Sequence, residues 1–299
     1  MPNSNYLCSL FDKAKHISDS RYKSFLRTLP VLGFSTLLAA CGGDSSNEVG
    51  SQDVDTGNFQ AHITVTATAD NLANVETRLV WVPDETFIVR LAGGDSLSAT
   101  VDGETKELET SPDNSDPIYI ASFTDGSSEA EYQISLERVG PPDFSDEWFP
   151  EEWIDESELE RFSDYEVSAP NNLVTLPMAF TLNADQEFVS NLNDEVVLTW
   201  DADSNGDEMS LAFTTRCPED PDQDGIIFEG DLDISGDPGT ATVQVNDLIP
   251  ESSNAEACAV TLKVQRLRFG DADEALSDGS ILRGIQQRSV TVRYLPGSV

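Results

Sequence analysis

From Phe59 onward apolar and polar residues alternate in short runs, and a chain with that period of two can bury one face of a strand but no face of a helix. Seven such runs fill about 80 residues: "HITVTAT", "TRLVWVP", "TFIVRLA", "SLSATV", "ETKELE", "IYIASF" and "EYQISLERV". Gly, Pro, Asn and Asp punctuate them, and long helical periodicity is absent. In "SATVDGETKEL", Asp102 and Gly103 stand between two alternating runs; a two-residue hairpin turn needs positive φ at both, and Asp-Gly accommodates it. Residues 58–140 are therefore expected to form an antiparallel β-sandwich of immunoglobulin-like size.

A second series begins near Asn171: "NLVTLPMAFTL", "EVVLTWDA", "EMSLAFTTRC", "GIIFEGDLD", "TATVQVNDL", "CAVTLKVQRLRF" and "RSVTVRYLP". In the last, Val290, Val292 and Tyr294 share a face, while Thr291 and Arg293 take the other. Trp200 ends an apolar run, where a packed core tryptophan is expected. Residues 169–297 are assigned to a second sandwich. The fold class is thus all-β: two tandem immunoglobulin-like antiparallel β-sandwiches.

What precedes them reads as an address. "LPVLGFSTLLAA", residues 29–40, follows Lys13, Lys15, Arg21, Lys23 and Arg27, the order of a secretory signal peptide over residues 1–40. The run is shorter than the ~20 apolar residues a spanning helix needs. Leu38, Ala39, Ala40 and Cys41 resemble the bacterial lipobox, which implies that Cys41 carries the membrane-anchoring lipid, palmitate included. Gly42 in place of an aspartate directs that resemblance to the outer membrane of the cell envelope. Two or three acyl chains make release negligible. Residues 41–57 continue as "CGGDSSNEVGSQDVDTG", the lipidated cysteine and an acidic tether.

Removing residues 1–40 leaves 12 basic and 53 acidic residues, 12 − 53 = −41. Nucleic-acid binding needs clustered Lys and Arg, so that class is excluded. The acidity itself fits either cation or basic-partner binding or solubility in salty surroundings. Cys217 and Cys258 remain as an even pair in an oxidising compartment, where a disulfide is expected. A catalytic thiol would want a histidine, and His62 is the single one left.

Between the two series, residues 141–168 form an acidic, aromatic linker or insertion. Its stretch 141–166 holds 11 acids, one arginine and six aromatics. Two uses fit: the aromatics dock the segment between sandwiches, or Trp148, Phe149 and Trp153 anchor a partner. "DPDQDGIIFEGD" spaces Asp220, Asp222, Asp224, Gly225 and Asp231 as alternate acids around a glycine. Such a loop converges oxygens on a hard cation, and it resembles the calcium loops of dockerins and thrombospondin type 3 repeats. An acidic solvated loop is the alternative. Lys263, Arg266, Arg268, Arg283, Arg288 and Arg293 cluster late in the chain, as a basic strip or in local pairs with Asp271, Asp273 and Glu274.

"RLAGGDSLSATVDGETKEL", "TLPMAFTL", "VVLTWDADSNGDEMSLAFTTRC", "CAVTLKVQRLRFGDADEAL" and "ILRGIQQRSVTVRYLP" resemble proteobacterial lipoproteins with tandem immunoglobulin or fibronectin type III-like modules. The likeness covers most of residues 85–140 and 170–296 and implies fold and address; it carries over no catalytic residue. The GxSxG, HExxH and phosphate-loop motifs are missing from the sequence. The expected function is that of a non-catalytic, lipid-anchored envelope protein that binds another envelope protein or acts structurally, with no required cofactor. The alternative is a surface carbohydrate-binding or carbohydrate-processing protein using calcium.

Overall fold

In the computed structural model, which describes residues 48–82, 87–112, 117–139, 170–205, 207–219, 225–253 and 255–297, alternation becomes strand. The strands are β1 Glu48–Gly50, β2 Phe59–Ala67, β3 Ala73–Trp81, β4 Ile88–Arg90, β5 Ser96–Val101, β6 Glu104–Glu107, β7 Glu109–Thr110, β8 Tyr119–Phe123 and β9 Glu131–Glu137. They continue as β10 Asn171–Thr175, β11 Asn183–Ala184, β12 Phe188–Val189, β13 Glu195–Thr199, β14 Glu208–Cys217, β15 Ile226–Leu232, β16 Thr240–Gln244, β17 Cys258–Gly270 and β18 Ile281–Tyr294. In β2 the pattern is direct: Phe59, Ala61, Ile63, Val65 and Ala67 are buried, and the residues between them are half-buried. Asp102 and Gly103 take φ of 47° and 83° and close the β5–β6 hairpin, as their chemistry demands.

The main sheet runs β1-β4-β3-β2-β18-β17-β14-β15, with β7, β8 and β12 at its sides. A four-stranded sheet, β10-β9-β5-β6, and a three-stranded sheet, β11-β13-β16, complete the architecture. Two cores result. The first gathers Phe59, Ile63, Val75, Phe123, Tyr132 and Ile134; the second gathers Val196, Leu198, Trp200, Leu211, Val260 and Leu262.

The division between cores differs from a cut at residues 141–168. β10, in the second sequence series, pairs with β9 and buries Val174 and Leu176 in the first core, which also takes Leu276 and Leu282. Alternation in "NLVTLP" specifies a strand, not which sheet's free edge it fills. The strands on either side of residues 140–169 in the sequence, β9 and β10, are therefore neighbours in one sheet, with Ser135 opposite Asn171.

Residues 48–57, expected to belong to the acidic tether, are instead part of the folded body. Glu48–Gly50 pairs in parallel with Ile88–Arg90, and Ser51, Val54 and Thr56 are buried. Arg138, whose side chain is 1% exposed, holds this segment from inside. Its guanidinium donates to Ser51 O at 2.5 Å, Val54 O at 2.9 Å and Thr56 Oγ1 at 2.9 Å, and pairs with Asp95 at 3.2 Å.

Candidate functional site

β17 and β18 are the longest of the described strands, with 13 and 14 residues. At ~3.4 Å per residue they make a ribbon about 45 Å long that serves both cores. One face of β17 presents Cys258, Val260, Leu262, Val264, Arg266, Arg268 and Gly270; opposite them stand Tyr294, Val292, Val290, Arg288, Gln286, Gly284 and Leu282 of β18. Apolar residues thus occupy the two ends of the ribbon, and a polar waist lies where one core gives way to the other.

The waist residues hold segments that lie outside the ribbon. The Arg266 side chain is fully buried. It donates to Met178 O at 2.7 Å, Asp201 O at 2.6 Å and Asp237 Oδ2 at 2.6 Å, with the Phe180 ring 5.0 Å away. Asp237 also accepts from the Trp200 indole N–H at 2.7 Å and the Asp203 amide at 2.9 Å. Burial raises the pKa of Asp237, but these donors outweigh it and hold the carboxyl below the usual carboxylate range. Arg268 donates to Asp207 at 2.8 and 2.9 Å and to Glu129 at 2.6 and 3.1 Å. Those two acids raise its pKa. Glu129 lies in the β8–β9 connection of the first core, whereas Asp207 adjoins β14 of the second. Gln286, also fully buried, donates to Gly126 O at 3.1 Å in that same connection.

Backbone contact completes the seam. A Cβ placed on Gly270 would stand 2.7 Å from Leu173 O, and one on Gly284 would stand 2.4 Å from Thr175 O. Glycine at both positions lets β10 cross the ribbon in direct contact, with Leu173 bridged to Asp271.

The sequence-predicted sites divide sharply. Cys217 and Cys258 form the expected disulfide, with S–S 2.06 Å and Cα–Cα 4.5 Å, between the end of β14 and the start of β17. Trp200 is a core residue, 7% exposed. Cys41, Trp148, Phe149, Trp153, Asp220, Asp222 and Asp224 lie outside the described residues. Asp231 lies on β15 opposite Ala212, and among the described residues no group of three His, Cys, Asp or Glu side chains is placed to hold a metal. The late arginines form ion pairs other than those expected: Arg266 with Asp237, Arg268 with Asp207 and Glu129, Arg293 with Glu219. These partners are distant in sequence, so proximity along the chain could not reveal them. The available signal was parity, because Arg266 and Arg268 continue the inward-facing positions of an apolar strand.

An open depression of about 340 Å³ is lined by Arg90, Asp95, Glu107, Glu109 and Tyr119 among others. Its arginine is already held by Glu48 at 2.8 and 3.0 Å, and its tyrosine hydroxyl accepts the Leu91 amide at 2.6 Å. The Arg90 hydrogen bond lowers the pKa of Glu48, and burial raises that of Tyr119.

No family model and no curated protein matches this chain. Among solved structures, it aligns with the crystal structure of chicken CNTN1 FN1-FN3 domains at 8% identity, covering 83% of this chain and 67% of that one, with a TM-score of 0.26. It also aligns with a biofilm associated protein BSP domain at 14% identity, covering 81% of this chain and 30% of that one, with a TM-score of 0.21.

Proposed function

We propose that this chain is a non-catalytic, lipid-anchored protein of the cell envelope, attached to the outer membrane through Cys41, whose β-body acts as a binding or structural module. The waist carries the reading. Arg266 and Arg268 spend their hydrogen bonds on holding separate segments and two cores as one body. That is a use of buried charge suited to a rigid spacer.

The position of the first described strand supports an anchored role. Cys41 precedes Glu48 by seven residues, 48 − 41 = 7, a reach of at most about 25 Å. Arg138 binds the segment after β1, Ser51 to Thr56. The partner reading assigns Trp148, Phe149 and Trp153 to contact with another envelope protein.

Metabolic labelling with a clickable palmitate analogue and envelope fractionation test the anchor. The parent is expected to carry label and sediment with the envelope, and Cys41→Ser to lose both; an unlabelled parent, or label retained by the variant, overturns the anchor. Cross-linked envelopes then compare the parent with a variant carrying Trp148→Ala and Trp153→Ala. A captured protein lost from the variant supports the partner reading. Equal backgrounds together with calcium-dependent retention on glycans would replace it with the carbohydrate alternative.

A further inference from the structure

β15 ends the main sheet path. It pairs with β14 from Leu211 opposite Leu232 to Cys217 opposite Ile226, and among the described residues no strand pairs with its other edge. An edge of seven residues offers unpaired backbone donors and acceptors, and proteins ordinarily blunt such edges with Lys, Pro, bulges or shortness. Neither Lys nor Pro intervenes in "IIFEGDL", and the charges this edge carries are the two acids Glu229 and Asp231. By contrast β6, the edge of the four-stranded sheet, reads "ETKE" and carries Lys106.

The two faces of this edge differ. Ile226, Phe228 and Gly230 stand opposite Cys217, Thr215 and Phe213, so they lie on the core side. Ile226 is nevertheless 49% exposed and Phe228 39%. The Phe213 ring occupies the space above Gly230, where an added Cβ would come within 2.7 Å of it. The other face shows Ile227, 58% exposed, followed by exposed Glu229 and Asp231. Among the described residues Glu229 accepts a hydroxyl hydrogen bond from Thr214 at 3.3 Å, and neither acid forms an ion pair there.

We propose that β15 is a strand-addition site for an extended, basic segment of a partner protein, with apolar side chains beside Ile226 and Phe228 and Lys or Arg beside Glu229 and Asp231. Main-chain hydrogen bonding supplies affinity in this mode, and alternate side chains supply selectivity. The charge selects the occupant. This chain has a formal net charge of −38, so a second copy brings like charge to an acidic edge, whereas a cationic strand neutralises it. The site stands seven strand-to-strand steps from β1, on the order of 30 Å at ~4.8 Å per step. The inference does not depend on the lipid anchor.

The test uses the full chain and three synthetic peptides: Lys-Val-Lys-Val-Lys-Val-Lys, its analogue with Glu for every Lys, and its analogue with two valines replaced by proline. Calorimetry gives affinity, and amide hydrogen exchange gives location. The Lys-Val peptide is expected to bind at least tenfold more tightly than either analogue and to slow exchange within residues 226–232. A variant with Glu229→Lys and Asp231→Lys is expected to reverse the preference toward the Glu peptide. Equal binding of the proline peptide would reduce the effect to charge attraction and overturn the proposal, as would protection elsewhere or no binding. Protection of β15 before any peptide is added would also overturn it, and sedimentation would then assign the edge to a second copy in a dimer or to the chain's own segment in a monomer.

Discussion

Replacing Arg268 with alanine removes a side chain that grips an acid from each core, and the structure sets different costs for its two ion pairs. Asp207 is 5% exposed and loses two charge-assisted hydrogen bonds. Stranding a nearly buried carboxylate costs about 3 kcal/mol, at the lower end for a broken buried pair because the arginine is itself partly solvated. Glu129 is 46% exposed, and a pair of that kind contributes about 0.5 kcal/mol. The sum is about 3.5 kcal/mol, or roughly 7–14 °C in Tm at ~2–4 °C per kcal/mol for a body of this size. Urea unfolding of Arg268→Ala, Asp207→Asn, Glu129→Gln and the two double variants resolves the terms. A coupling near ~2 kcal/mol is expected with Asp207 and ~0.5 kcal/mol or less with Glu129. In 1 M salt, where the Debye length is ~3 Å, only the Glu129 coupling should vanish. A Tm change under about 3 °C, or a Glu129 coupling as large as that of Asp207, would refute the view that the waist is held through its buried acid.

Three further measurements probe the same body. Reducing Cys217–Cys258, or replacing both with serine, opens a loop with a sequence separation of 41; about 4 kcal/mol should be lost by loop entropy, read as a lower urea midpoint. Asp237 has a depressed folded pKa, so its contribution is complete above the unfolded value of about 4 and is lost as pH falls through the folded value. Asp237→Asn should flatten the acid fall of the urea midpoint below about pH 4, and an unchanged slope counts against the assignment. Gly284→Ala should cost about 2–3 kcal/mol, because its Cβ meets the Thr175 carbonyl; stability within experimental error of the parent would mean that β10 can lift from the ribbon freely.

How much of this was legible follows from what each signal encodes. Period-two alternation specifies which side chains point inward, and it located most strands, the Asp102–Gly103 turn and the core position of Trp200. It is silent about which sheet a strand joins. "NLVTLP" satisfies the pattern equally well as the first strand of a second sandwich or, as found, as the strand that completes the first. Gly270 and Gly284 carried a usable hint, since glycine within a strand marks close approach of another backbone, but the approaching strand lies about 100 residues away along the chain. The waist follows the same logic. On β17 the inward positions read Cys, Val, Leu, Val, Arg, Arg, Gly, and two arginines on a core-facing row must meet buried acceptors or terminate the core. Their position therefore implied a polar seam before any partner was known. Only the folded chain names the partners, because Asp237, Glu129 and Asp207 reach Arg266 and Arg268 from connections whose sequences look like ordinary acidic turns.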